Sequence, residues 1–284
     1  KFRDSLERLN TPITEDTLAE ISTLPVDPTT IRPLIFGEVF NISPILLSSA
    51  SLEYMVHNGP IAEIIEIRDE GVPIYNSNTT GTTYSITSIH ASIAASCNVT
   101  AVNAAYNLLT VTNTTNLFKD STITLSGTPF GGLLTATTYY ITGVYNNSIT
   151  ISTTLDGTNV DILANATGTM VITCSTPYVL EMSSGTGELF VNKMVTFNTT
   201  AGGLTAGTVY YISRIYQGTK YFSVSTTING SNLAVSAYAS TITMTIPPVI
   251  VNLTTGTFKL NFALKGTCTA SVRGAVKSID SVGA

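Results

Sequence analysis

The chain has 284 residues, a formal net charge of −5 at pH 7 and only 11% charged side chains, against 43% hydrophobic ones and 48 threonines. Soluble domains usually carry about a quarter charged residues, so hydroxyls and amides keep this chain in water, and its apolar fraction suffices for folded cores. The 13 Lys and Arg are scattered, which excludes the clustered positive charge that nucleic-acid binding needs, and no segment reaches the ~18 apolar residues that cross a bilayer.

Cys97, Cys174 and Cys268 lie far apart and outside CxxC spacing. A zinc site needs about four ligands in local pairs, so the three read as small buried apolar residues, with one disulfide left open and no metal site expected. The opening Lys1-Phe2-Arg3-Asp4 is not a signal peptide and lacks Met. The chain is therefore expected to be a piece of a longer one, with residues 278–284 as a linker to the remainder.

Phe2, Leu6 and Leu9 fall at helical spacing behind a capping-box pair, Asp4 and Glu7. A second helix is expected from Thr14, with Glu15 and Asp16 in its first turn, ending before Pro25. Pro25, Pro28 and Pro33 make residues 24–33 extended, so residues 1–30 form a helical and extended connector lying on a neighbour.

From residue 34 the period changes to two. Residues 51–57 and 61–68 read as strands flanking an Asn58-Gly59 hairpin turn, and Asp69-Glu70-Gly71 closes a second turn before Val72-Pro73-Ile74. The charges of this hairpin read as the solvent side of a sheet edge, and Glu63 and Glu66 are not an acid–base pair, because residues three apart on a strand point to opposite faces.

Residues 93–248 hold nine charged residues in 156, against 22 in the other 128. They also repeat themselves. LTATTYYI (134–141) returns as LTAGTVYYI (204–212), ITISTTLDG (149–157) as FSVSTTING (222–230), and Leu117-Phe118 as Leu189-Phe190. The offset stays between 70 and 73, giving two units of roughly 72 residues in which branched and aromatic residues alternate with small polar ones. After Pro247-Pro248 strand alternation resumes with charges. The expected fold is thus all-β, with a split domain over 31–92 and 249–277 interrupted by two tandem small sandwiches or barrels, 93–175 and 176–248. Residues 257–273 should pair with strands from 35–75.

Chemistry is hard to find. There is no HExxH, GxSxG, Walker loop or GxGxxG opening a helix. His57 reads as an exposed turn residue and His90 as a junction residue; an enzyme would need one of them within hydrogen-bond reach of a carboxylate or Cys in a cleft. The Tyr139-Tyr140 and Tyr210-Tyr211 pairs should each place one ring in the core and one outside, which makes Tyr140 and Tyr211 the candidates for surface recognition. No cofactor is expected. The Asn-x-Ser/Thr triplets are what chance produces in so Asn- and Thr-rich a chain.

Three stretches, KFRDSLERLNTPIT, RPLIFGEVFNISPILL and LEYMVHNGPIAEIIEIRDEGVPI, occur in this order over residues 1–74, and GTFKLNFALKGTCTASVRG follows at 256–274. Together they resemble tail-tip or baseplate proteins of long-tailed bacteriophages, with Asn58 where that pattern has Asp and Cys268 where it has an aliphatic residue. The LTAGTxYY units are similar to β modules of phage tail and fibre proteins. The resemblance implies a non-enzymatic, hub-like structural protein of the virion tail. Its partners would be sister copies in a threefold or sixfold ring, other tail proteins and a host-surface receptor or glycan, with no nucleic acid and no membrane span. The alternative is a receptor- or glycan-binding tail fibre or adhesin module.

Overall fold

A computed structural model describes residues 33–35, 37–187, 189–216 and 219–275. The expected helices, the rest of the N-terminal connector and the C-terminal linker lie outside the described residues. Within them the fold is all-β, as the two-residue period requires: every regular element is a strand. In chain order these are β1 (Glu38–Ile42), β2 (Ile45–Ser48), β3 (Glu53–Met55), β4 (Ile61–Asp69), β5 (Val72–Asn76), β6 (Thr82–Asn103), β7 (Leu108–Val111), β8 (Thr122–Gly127) and β9 (Thr138–Val144). There follow β10 (Ser148–Ser152), β11 (Ala166–Met182), β12 (Met194–Phe197), β13 (Tyr210–Ile215), β14 (Tyr221–Ser225), β15 (Ile242–Ile246), β16 (Val249–Asn252), β17 (Thr257–Leu260) and β18 (Cys268–Gly274).

Two compact units result, one from the segments up to Thr82 and from Ile246 onward, the other from Thr83–Thr245. The first holds two four-stranded sheets, β1-β18-β4-β5 and β16-β17-β3-β2. β18 lies between β1 and β4, with Val272 opposite Val39 and Ala270 opposite Ile67, and β17 pairs with β3. The core draws Ile64, Ile67 and Val272 from one sheet and Phe258 and Leu260 from the other. Phe258 also stacks on Tyr54, ring centroids 5.2 Å apart.

The turn chemistry is met at one of two predicted hairpins. Glu70 (φ 50°) and Gly71 (φ 81°) both take positive φ, the two-residue geometry that matches strand twist, and join β4 to β5. Pro73 is accommodated because β5 is an edge strand. Asn58-Gly59, by contrast, makes no hairpin: β3 and β4 belong to different sheets. The segment crosses between them, held by Val56 N and His57 N donating to the Gly256 carbonyl at 2.9 and 3.2 Å. Gly256 (φ 67°) must be glycine, since a Cβ would collide with the carbonyls of His57 and Gly59.

The second unit is one closed ring, β10-β7-β6-β15-β12-β13-β14-β11-β8-β9, crossed by a long β6–β11 ladder from Ala166 opposite Val102 to Met182 opposite Ile86. The ladder divides the ring into two barrels of equivalent topology. The first is closed by β7, β10, β9, β8 and the facing halves of β6 and β11. The second uses the other halves of β6 and β11 with β15, β12, β13 and β14. The sequence predicts a boundary after residue 92 and separable repeats; β6 instead runs unbroken through it, and the second barrel takes a strand from before the repeats begin.

The repeated motifs are explained by this architecture. Tyr139 and Tyr210, each 3% exposed, accept hydrogen bonds at their hydroxyls from the backbone N–H groups of Leu134 (3.1 Å) and Thr205 (2.8 Å). In STTLDG and STTING, Ser152 and Ser225 accept at Oγ from the N–H groups of Thr154 and Thr227, both at 3.1 Å. Asp156 (φ 53°) and Asn229 (φ 54°) then turn the chain in the left-handed region that Asp and Asn tolerate best among residues with a Cβ.

Candidate functional site

The junction of the two barrels is apolar at its base. Ile93, Val179 and Tyr216 are buried with Phe118, whose ring lies 5.6 Å from Tyr216 and 5.1 Å from Tyr221. Above this base opens a cavity of about 1110 Å³ lined by Phe118, Asp120 and Asp156 of the first barrel and by Phe190, Arg214, Lys220 and Tyr221 of the second, among others. The unit is almost free of charge, yet Asp120, Asp156, Arg214 and Lys220 are four of the nine charged residues of 93–248. Charge is concentrated where the copies meet.

Arg214 Nη1 lies 2.6 Å from Asp120 Oδ2, an ion pair across the junction with both side chains largely buried. Asp156 lines the same cavity, and its charge acts on the Asp120 carboxyl. Burial, together with the facing Asp156 charge, pushes the Asp120 carboxyl up from its ordinary value against the pull of Arg214 and Lys119. Beside this group, Glu181 takes His90 Nε2 at 2.8 Å on one oxygen and Lys220 on the other. Burial alone would raise the Glu181 carboxyl, but the bonds and charges of Lys220 and His90 outweigh it and hold it below the ordinary glutamate value.

An imidazole therefore does stand within reach of a carboxylate, as an enzymatic reading requires. His90 is not part of the cavity lining, however, and Glu181 is ion-paired to Lys220, so the carboxylate is not reserved for orienting an imidazole toward a nucleophile. His57 is half-buried rather than exposed, because its Nδ1 accepts the backbone N–H of Ile35 at 2.8 Å. Burial lowers its pKa, which favours this neutral acceptor role. Glu63 and Glu66 go to different partners, Arg273 at 2.8 Å and Arg68 at 2.6 Å. Cys97 and Cys174 are buried, Cys268 is half-buried and all three are free thiols; burial pushes Cys174 and Cys268 up to about 11.

Of the two tyrosines expected at the surface, Tyr211 needs correction. Tyr140 is half-buried, and Tyr211 is only 8% exposed, so it offers no ring to a ligand. Strand alternation tells which face a side chain leaves from, but the face bearing Tyr211, opposite Met194 and Ser225, is itself covered. The exposed aromatic of the second barrel is Phe190, 51% exposed beside the cavity with Lys193 Nζ 4.3 Å from its ring centre. Among the described residues no group of three or more His, Cys, Asp or Glu could hold a metal ion. No family model, curated protein or solved structure matches the chain.

Proposed function

We propose that this protein is a structural component of a bacteriophage tail tip or baseplate that assembles with sister copies in the virion and carries its paired barrels as a module directed at the host surface. The supporting observation is the split unit. A sheet completed by β18, from the far end of the chain, keeps both edge strands outwardly unpaired among the described residues, and each edge displays a large apolar side chain, Phe40 at 61% and Val72 at 63% exposure. Unpaired edges with apolar side chains are surfaces that natural proteins otherwise blunt, so their retention favours assembly. The order of the tail-like segments supports the same reading.

Mass photometry of the purified chain tests this: trimers or hexamers are expected, shifting toward monomers with Phe40→Glu and Val72→Glu. A monomer at every concentration up to tens of micromolar overturns the assembly. The second reading, a receptor- or glycan-binding fibre or adhesin module, is favoured by the charge and exposed Phe190 gathered at the cavity. It predicts that residues 83–246 alone adhere to bacterial cells and that Phe190→Ala abolishes adhesion without altering the oligomer.

A further inference from the structure

The duplication shows which surface of a barrel is built to be covered. Leu117-Phe118 and Leu189-Phe190 enter their barrels through the same hydrogen bonds. The N–H groups of Leu117 and Leu189 donate to the carbonyls of Thr114 and Thr186 at 3.1 and 2.9 Å, and those of Asp120 and Asn192 to the carbonyls of Ile141 and Ile212 at 2.6 and 2.7 Å. The N–H groups of Ser121 and Lys193 then donate to the Phe118 and Phe190 carbonyls at 3.1 and 3.2 Å. The neighbouring hairpins correspond as well, with Tyr145 just after β9 and Tyr216 just after β13. Tyr216 Oη lies 3.5 Å from Ser223 Oγ; the Tyr145 hydroxyl and Thr150 Oγ1, the counterpart of Ser223, each lie 2.9 Å from where a Cβ on Gly143 would stand. Both barrels therefore hold one phenylalanine and one tyrosine in corresponding places.

What covers them differs. Phe118 of the first barrel and Tyr216 of the second are buried against each other, and Tyr221 of the second barrel closes on the same phenylalanine. Their counterparts are bare: Phe190 is 51% and Tyr145 56% exposed. The contact is thus one-way, the phenylalanine of one barrel on the tyrosine of the next, and not reciprocal. β6 has the same sense: it lies antiparallel to β7 in the first ring and to the second half of β11, the repeat's counterpart of β7, in the other, so it runs one way through equivalent places. A one-way contact leaves an unused face at each end, and any second copy of the chain supplies the matching one. Large rings left in water at the two ends, where the same fold buries them in the middle, mark those faces as an interface.

We propose that Phe190 of one chain seats on Tyr145 of a second copy, repeating between chains the contact that Phe118 makes with Tyr216 within one. Copies then join barrel to barrel in a head-to-tail series, a ring if the rotation closes and a filament if it does not. The contact between chains is the weaker of the two. Ser148 stands where Tyr221 adds a second ring, and Asn192 and Gly143 stand where Asp120 and Arg214 form the ion pair. Without that charge pair, added salt does not weaken it. The contact uses neither Phe40 nor Val72, and it holds whether or not the chain belongs to a phage tail.

Photo-crosslinking of the full chain tests it. Protein with p-benzoylphenylalanine in place of Phe190 is mixed in equal parts as heavy-isotope-labelled and unlabelled chains, irradiated at tens of micromolar and digested for mass spectrometry. Adducts joining a labelled to an unlabelled chain are expected within residues 143–150, at a yield that high salt does not lower. Tyr145→Ser, which removes an exposed side chain, should cut that yield severalfold, whereas the Phe40→Glu, Val72→Glu double variant should leave it unchanged. The absence of mixed-label adducts up to hundreds of micromolar overturns the contact, as do adducts that land outside this hairpin. So does a yield that Tyr145→Ser leaves untouched, or one that high salt or the double variant abolishes.

Discussion

The two units build β cores of the same kind from different polar chemistry. In the split unit, Arg273 on β18 reaches Glu38 on β1 and Glu63 on β4, residues 235 and 210 positions away, and Lys259 meets Glu53 across β17 and β3. In the barrels, buried hydroxyls do the pairing: Ser121 with Thr176 at 2.6 Å, Ser223 with the Tyr178 carbonyl at 2.7 Å, and the serines of the repeated turns. Most barrel strands sit beside sequence neighbours whose turns fix the register, whereas β18 must find its place from the other end of the chain. A one-residue slip reverses every side chain, so paired charges help specify register where no turn can.

The comparison breaks most visibly by cutting the chain. Residues 83–246 should fold alone with one cooperative transition, while removing everything after residue 245 should leave the remaining part of the split unit unfolded, read by circular dichroism and proteolysis. Phe258→Ala, emptying a site 1% exposed in the split core, should cost about 3–5 kcal/mol in chemical denaturation of that unit only. Asp69→Ala should cost about 2–3 kcal/mol, because the buried carboxylate accepts the N–H groups of Lys265 and Gly266 at 2.8 and 3.0 Å and both would be left unpaired.

pH sharpens the contrast within the barrels. The raised Asp120 carboxyl contributes stability that is full below the ordinary aspartate value and disappears as pH rises through the raised one. The lowered Glu181 carboxyl contributes stability present above the ordinary glutamate value and lost as pH falls through the lowered one. Thermal melts should accordingly show Asp156→Asn lessening the loss on the neutral side, the part due to burial of Asp120 remaining, and Glu181→Gln removing the loss on the acid side. The smallest effect is expected for Arg273→Met: the side chain is 46% exposed, its pairs are screened by water, and the melting temperature should hardly move.

Much of this was readable before any coordinates. Alternation marks the strands, Glu70-Gly71 marks a true hairpin, and the recurring Tyr and STT motifs mark turns used twice. The return of residues 257–273 to strands of 35–75 was legible as well, since β17 pairs with β3 and β18 with β1 and β4; what escaped was which sheet or barrel other strands join. Asn58-Gly59 carries a hairpin signal, but turn chemistry cannot say which sheet the next strand joins. Likewise, nothing local in residues 82–103 states that its two halves serve different barrels. The site was half visible, since the scarcity of charge made the few charged residues conspicuous, but Asp120, Asp156, Arg214 and Lys220 converge only through the shared ladder. Tyr211 misled because alternation gives direction and not cover.

β6 and β11 each run through both barrels, so neither ring has a seam of its own. Tension along either strand loads both rings in shear at once, and unzipping one exposes the hydrogen-bonding rim of the other. Excising one ring would leave its twin with an unclosed wall.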